Sequence, residues 1–285
     1  MKQLVYLNGD LLPSDRAAVP LLDRGYLYGE GLFETMRAYG GRIFALDRHL
    51  GRLLSSAATL GLELGVGEDE LARILALTLQ ANDLSDAYLR LTVSQRCDAP
   101  GIESRAAGKF TISVIVRELA APSSNAAVSV VVLESGSAPP PNLARHKTLS
   151  FLAYVQARRA ARAKAAQDAL LVNAAGEITE ATTSNVFLVR EDRLVTPPVA
   201  CGVLPGITRA IVLDLARAQG VQATEQPVRP EQLAACSECF LTNSIVGLQP
   251  VTHVNGHAIG SGAPGPVWAA LTAAYSRMTA ALSGG

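Results

Sequence analysis

Hydrophobic and polar positions change their period several times along the chain. "QLVYLNGDLL" (3–12) reads as a hairpin turning at Asn8-Gly9, and "GLFETMRAYGGRIF" (31–44) as a second strand pair turning at Gly40-Gly41. The period then lengthens. Leucines at 46, 50, 53, 54 and 60 fall on one helical face, with Asp47 near the start and Gly61 at the end. A second helix is predicted over 68–81, followed by strands at "AYLRLTVSQ" (87–95) and "KFTISVIVREL" (109–119). "AAPSSNAA" (120–127) is Pro/Ser-rich and reads as a linker. Beyond it the pattern predicts a strand at "AVSVVVL" (127–133) and a helix from about 150 to 165. Strands follow at "DALLVN", "SNVFLV" and "RLVTP", then a helix over 206–219, a strand near 222–228, the strand "ECFLTN" (238–243) and a last helix over 266–281. The expected class is α+β in two domains, a small one over 1–119 and a larger one over 128–285.

Composition narrows the function classes. Among 285 residues, 25 Lys+Arg balance 25 Asp+Glu, which argues against a nucleic-acid footprint or a polybasic membrane surface. No unbroken apolar run approaches the roughly 18 residues that span a bilayer. The opening "MKQLVYLNGDLLPSD" has no signal-peptide core, so a cytoplasmic protein is expected. Four cysteines are too few for a disulfide scaffold. "CSEC" (236–239) forms a CxxC without a second pair or paired histidines, so reduced thiols and no metal site are expected.

Three stretches carry candidate chemistry. Lysine is scarce, with only Lys2, Lys109, Lys147 and Lys164, and Lys147 sits where a proline-stiffened loop, "APPPN", gives way to a helix. It reads either as a solvated surface residue or as a nucleophilic amine, whose lowered proton affinity Arg145 or His146 would assist. "GVLPGITRAIV" (202–212) stops a strand-like run at Pro205-Gly206 and puts Thr208 in the first turn of a helix. Its unpaired N–H groups suit a phosphate, as do those of any helix after such a turn. In "GEITEATTSNVFLV" (176–189), Ile178, Glu180 and Thr182 are expected on one strand face, which makes Glu180 a buried carboxylate or an exposed edge residue.

An amine, an anion nest and a carboxylate together match an aldehyde, a phosphate and a protonated ring nitrogen, the groups of pyridoxal 5′-phosphate. Their order and spacing resemble the class IV aminotransferase family, pyridoxal-phosphate enzymes of fold type IV. The family includes branched-chain and D-amino acid aminotransferases and 4-amino-4-deoxychorismate lyases. The match runs from "LNG" (7–9) to "QPV" (249–251). "HKTLSFL" resembles the segment with the Schiff-base lysine, which implies that role for Lys147. "TEATTSNVF" resembles the segment whose glutamate pairs with the pyridine nitrogen, which implicates Glu180. "HLGRL" (49–53) implies a phosphate grip by Arg52. "GVLPGITR" resembles the phosphate cup, with the amides of Ile207 and Thr208 on the phosphate and Leu204 against the ring. "LTNSIVGLQPV" resembles the last cofactor loop, where Ser244 would bond a phosphate oxygen beside Ile245 in the substrate pocket.

The resemblance further implies that Glu180 keeps the ring nitrogen protonated while Lys147 moves the α-proton. It also implies a homodimer acting on a small amino donor and a 2-oxo acid, because the family builds each pocket from two subunits. "DRGYLYGEGLFETMR" (23–37) resembles the pocket-lining segment, which implicates Tyr28, Phe33 and Arg37. "YLR" (88–90) adds Tyr88 and Arg90. Tyr28 and Phe33 read equally as ordinary hairpin core, and the arginines as surface ion pairs. The chain departs from the branched-chain group by lacking Gly-Asn-Tyr after the lysine, with Leu152 where that tyrosine would stand. "SQRCDAPGIES" lacks the Arg-x-His of the D-amino acid enzymes, and Arg96 is the candidate carboxylate anchor there. "PNLARHKTL" and "TNSIVG" look most like the lyases. An aminotransferase is therefore the leading expectation and the lyase the alternative.

Overall fold

The computed structural model describes residues 3–103, 109–119 and 126–283. Most of the expected linker, residues 120–125, lies outside the described part. The chain divides into two compact units, one formed by residues 1–121, 147–151 and 279–285, the other by 122–146 and 152–278.

The first unit is built on β1 (Leu4–Leu7), β2 (Asp10–Pro13), α1 (Arg24–Tyr28), β3 (Gly31–Tyr39), β4 (Arg42–Ile43), α2 (Leu46–Thr59), α3 (Glu68–Ala81), β5 (Ala87–Gln95) and β6 (Phe110–Glu118). Among the described residues its strands form one antiparallel sheet in the order β2-β1-β6-β5-β3-β4. Both hairpins turn where the glycines stand, with Asn8, Gly9, Gly40 and Gly41 all at positive φ. α3 carries Glu68, Asp69 and Glu70 in its first turn, where negative charge meets the positive end of the helix dipole. α2 and α3 bury Leu50, Leu53, Leu71, Ile74 and Leu75 with Leu32, Met36, Leu89, Leu91, Val114 and Val116 of the sheet. Strand alternation sends Phe33, Thr35 and Arg37 of β3 to the opposite face, paired in register with Thr92, Arg90 and Tyr88 of β5.

The 23–30 segment differs from its expected extended form. Asp23 caps α1 by accepting from the Tyr26 amide, and Gly29 ends it at φ 69°. Tyr28 thus closes a helical turn and is 42 % exposed rather than core.

The second unit continues with β7 (Val128–Ser135), α4 (Pro141–Ala144), α5 (Leu152–Ala163), β8 (Asp168–Val172), β9 (Ile178–Ala181), β10 (Asn185–Arg190), β11 (Arg193–Thr196), α6 (Ile207–Ala218), β12 (Ala223–Glu225), β13 (Glu238–Asn243), β14 (Gly247–Val254), β15 (His257–Ala258) and α7 (Pro266–Ser283). Its described strands run β12-β11-β10-β13-β14-β7-β8-β9 in a mixed sheet, with β15 on β14. Adjacent residues of β7 and β8 enter opposite apolar clusters. Val130, Leu170 and Val172 pack in one, while Val131, Ala169 and Leu171 pack with Ala157, Ala161 and Tyr154 of α5 in the other. A sheet covered on both faces gives continuous apolar runs, as "DALLV" shows.

Three local expectations are corrected. No strand precedes the Pro205-Gly206 turn, where a single 3-10 turn over Val199–Cys201 leads into irregular chain. β14 was not anticipated, because Pro250 has no N–H to give a ladder, yet it pairs opposite Phe240. Ile178, Glu180 and Thr182 do not share a face. The β8–β9 pairing slips by one residue between Leu170 and Val172, so Ile178 and Ala181 enter the same apolar cluster and Glu180 turns away from it.

Candidate active site

Lys147 belongs to the first unit. The proline run leads into α4, which opens at Pro141, and α5 begins only at Leu152. Between them the chain is extended against the start of β3. The Phe33 amide donates to the Lys147 carbonyl at 2.9 Å, and the Leu149 amide donates to the Gly31 carbonyl at 2.9 Å. Sheet pairing therefore fixes the lysine backbone. Its Nζ lies 4.3 Å from the centroid of the Phe33 ring, which the Arg90 guanidinium also approaches at 3.7 Å. Phe33 is 3 % exposed and meets Phe151 edge-on. Burial, with Arg145 next in order, lowers the proton affinity of His146.

Arg52 lies on the helix-facing side of the same sheet. Its Nε and Nη2 donate to Glu34 Oε1 and Oε2 at 2.8 and 2.6 Å, a bidentate fork with Glu34 buried and Arg52 nearly so. His49 stands 2.7 Å from Glu34 Oε2 through Nδ1. Burial pushes the Glu34 carboxyl up, but the Arg52 charge and the hydrogen bonds from His49 and Arg52 outweigh it and hold the group at about 2. Burial lowers the proton affinity of His49, so the ring is neutral and its Nδ1 carries the proton donated to the carboxylate. Sequence reasoning identified Arg52 but not the carboxylate that orients it. Period 2 places Glu34 among Leu32 and Met36, and a charge on a core face was the available signal.

The remaining first-unit residues are placed as follows. Arg37 stacks on Tyr39 at 4.6 Å and Arg117 on Tyr88 at 4.4 Å. Phe33, Arg37, Tyr88 and Arg90 share one sheet face, as their register requires. The Tyr28 hydroxyl accepts from the Gly101 amide at 2.9 Å, and Arg24 donates to the carbonyls of Gly101 and Ile102. Arg96 lies in a bridge with Asp23, beside the start of α1.

The second unit gathers the others. Glu180 is 6 % exposed although β9 ends its sheet, so the exposed alternative fails. Its Oε1 accepts from the Tyr154 hydroxyl at 3.2 Å, and its Oε2 from the Leu204 amide at 3.1 Å and from Asn185 Nδ2 at 3.3 Å. Burial first, then the Glu180 charge, pushes the Tyr154 hydroxyl well above the usual tyrosine range, which keeps it a donor. Asn185 Nδ2 also donates to the Leu204 carbonyl at 2.9 Å. Leu204 thus meets Glu180 and Asn185 through its backbone amide and carbonyl. The cup follows directly. Gly206 precedes α6 without any side-chain cap, Ile207 and Thr208 are its buried first residues, and a Cβ on Gly206 would stand 1.9 Å from Asn185 Oδ1. Only glycine fits there.

Ser244 and Ile245 lie in the β13–β14 turn. Asn243 Oδ1 accepts from the amides of Ile245 and Val246 at 2.9 and 3.0 Å, and its Nδ2 donates to Ser184 Oγ at 2.9 Å. Tyr154, Asn185 and Asn243 were missed by sequence reasoning. Each is an ordinary residue type whose partner lies far along the chain, so only the resemblance of "TTSNVF" and "LTNSIVG" to the family segments marked their neighbourhood.

The donor set suits pyridoxal phosphate. The first unit offers a primary amine over an aromatic ring; the second offers an uncapped helix start after a tightly packed glycine and a buried carboxylate held by neutral donors. Residues 31–254 match the family model described as Amino-transferase class IV. A D-alanine aminotransferase of Bacillus licheniformis is 34 % identical over 266 residues, covering 92 % of this chain and 92 % of the relative. The structure of a branched-chain aminotransferase from Thermoproteus uzoniensis, with norvaline, superposes with a TM-score of 0.91 at 26 % identity. It covers 99 % of this chain and 96 % of that one. A Legionella pneumophila structure named as a 4-amino-4-deoxychorismate lyase superposes with a TM-score of 0.83 at 26 % identity over 93 % of this chain and 96 % of its own.

Proposed function

The chain belongs to the class IV aminotransferase family, and we propose that it transfers an amino group between a small amino donor and a 2-oxo acid using pyridoxal 5′-phosphate. The observation that carries the reading is that the buried Glu180 carboxylate accepts from the Leu204 amide, just before the uncapped start of α6. The cofactor, when bound, supplies an aldehyde for an amine and a protonated ring that accepts the electrons of a departing α-proton. Glu180 holds the proton at the ring nitrogen. The amides of Ile207 and Thr208, with Ser244 and the Arg52 guanidinium, take the phosphate, and Glu34 fixes the plane in which that guanidinium is presented. Lys147 Nζ would be the amine that holds the cofactor's aldehyde carbon, and it would carry the α-proton as general base and acid.

Phe33, Arg37, Tyr88 and Arg90, which share a sheet face, are the proposed substrate residues of the first unit together with Tyr28, and Ile245 is that of the second. Two arginines on that face supply the charge that a carboxylate substrate needs. The enzyme is proposed to be a cytoplasmic homodimer. Light scattering that finds a fully active monomer would refute the dimer.

Two experiments test the assignment. Lys147→Arg keeps the charge but cannot link to an aldehyde, so borohydride should fix no cofactor mass on the tryptic peptide of the variant, whereas it labels the parent at Lys147. Near-normal turnover by the variant would end the reading. The similarity to the Legionella protein and the lyase-like "PNLARHKTL" favour one alternative, elimination of pyruvate from aminodeoxychorismate. Pyruvate released without an amino acceptor, with no turnover of D-alanine or L-leucine against 2-oxo acids, would establish the lyase instead.

A further inference from the structure

Tyr154 reaches Glu180 from α5, the helix that covers the sheet face opposite the cluster of Ile178 and Ala181. α5 presents it three residues before Ala157 and seven before Ala161, the spacing of one helical face. Its ring packs in the cluster of Val131, Ala157, Ala161, Ala169 and Leu171. The ring is thus held by apolar contacts, and only the hydroxyl reaches the carboxylate, at 3.2 Å from Oε1. The slip in β8–β9 pairing makes this meeting possible, because strict alternation would have turned Glu180 to the other cluster.

We propose that Tyr154 is a positioning residue, whose hydroxyl keeps Glu180 a weak base so that the shared proton stays on the cofactor's ring nitrogen. This rests on the role given above to Glu180. An ionised carboxylate is an acceptor only, so the hydroxyl donates. Burial and the neighbouring charge hold that hydroxyl protonated, as its raised proton affinity shows. Hydrogen bonds to the charged form lower a carboxylate's proton affinity. The Tyr154 hydroxyl, the Asn185 amide and the Leu204 N–H do this while leaving the negative charge in place. A cationic donor in the same position would compete with the ring nitrogen for that charge. A neutral hydroxyl orients the carboxylate and does not compete. The nearby Leu152, two positions earlier, carries no hydroxyl that could take this part.

The test uses the cofactor-loaded enzyme and Tyr154→Phe, which keeps the packed ring and loses one oxygen. Removing the donor raises the basicity of Glu180, draws the proton toward it, and makes the ring a weaker electron acceptor. The pH midpoint of the bound cofactor's visible absorbance should therefore rise by about one unit, and kcat should fall roughly tenfold to a hundredfold, the effect of one hydrogen bond to a charged group. KM for the amino donor should not change. In a Glu180→Gln background the same substitution should add little, since the two residues act as one unit. Incorporating 3-fluorotyrosine at 154 gives a stronger donor, keeps the packing, and should move the midpoint down. It also serves if the phenylalanine variant folds poorly.

An unmoved midpoint in both replacements, or full additivity with Glu180→Gln, overturns the proposal while leaving the function intact. If Glu180→Gln by itself alters neither the absorbance nor kcat, the role of Glu180 fails, and this inference falls with it.

Discussion

Replacing Glu34 with glutamine tests the fork that presents Arg52. The carboxyl is 1 % exposed and accepts from Arg52 through both oxygens and from His49 through one. Its proton affinity falls from the ordinary 4.5 to about 2. With each tenfold change in affinity equivalent to about 1.4 kcal/mol, the ionised pair contributes about 3 kcal/mol at neutral pH. The sign follows from the lowered value. This stability is complete above about pH 5 and disappears as pH falls through about 2. His49, neutral in the fold because burial lowers its affinity, adds a loss in the same direction, starting below its ordinary 6.5.

Glu34→Gln is neutral at every pH and leaves the guanidinium buried without its carboxylate, so at pH 7 it should cost about 3–5 kcal/mol. Urea unfolding of the cofactor-free protein, followed by circular dichroism from pH 7 to pH 3, makes the comparison. The expected result is a wide gap at pH 7 that narrows steadily toward acid. A gap that stays constant across the range would show that the Glu34 charge contributes nothing, and the account of Arg52 orientation would go with it.

Gly206→Ala puts a Cβ 1.9 Å from Asn185 Oδ1, on a side chain already tied to Glu180 and Leu204. Apparent affinity for pyridoxal phosphate, measured by absorbance titration, should fall at least about tenfold, and an unchanged affinity would contradict the cup. The cysteines offer a contrasting expectation. All four are buried free thiols, and burial pushes Cys201 and Cys236 up to about 11 and Cys239 further. Ellman's reagent at pH 7.5 should label the native protein slowly and all four thiols in urea. Rapid labelling of Cys236 or Cys239 would reopen a redox role for "CSEC".

Much of the fold was legible because its signals are local. The second helix of the first unit was expected over 68–81 and spans Glu68–Ala81, its acidic first turn and apolar period agreeing. The hairpins followed from their glycines. What failed depended on partners distant in sequence. Pro250 argues against a strand unless its neighbours are known, and here it stands in an interior strand between β13 and β7. α1 was hidden because five residues are too few for a helical period, and its signal was a single cap at Asp23. The site was half legible in the same sense. Lys147, Glu180 and the helix start at Ile207 have residue types that chemistry needs. Tyr154 and Asn185 hold Glu180, Glu34 holds Arg52, and Asn243 holds the turn of Ser244 and Ile245; any polar type looks alike until its partner is seen.

The two buried glutamates show why the distinction matters. Glu34 and Glu180 both sit in strands, are both almost fully buried, and look identical in a sequence. Glu34 is met by a guanidinium fork, which satisfies both oxygens and neutralises the charge, so its chemistry is spent on orienting Arg52. Glu180 accepts from a hydroxyl, a carboxamide and a backbone amide, which fix its plane without any of the three carrying a charge. A buried anion gains from a positive partner brought close to it. A protonated ring nitrogen is such a partner, so binding the cofactor should stabilise the second unit. Reconstituted protein should then resist urea better than the cofactor-free form, and Glu180→Gln should shrink that gain. An equal gain in the variant would mean that the phosphate contacts alone stabilise the holoenzyme, and that the charge on Glu180 meets no cation.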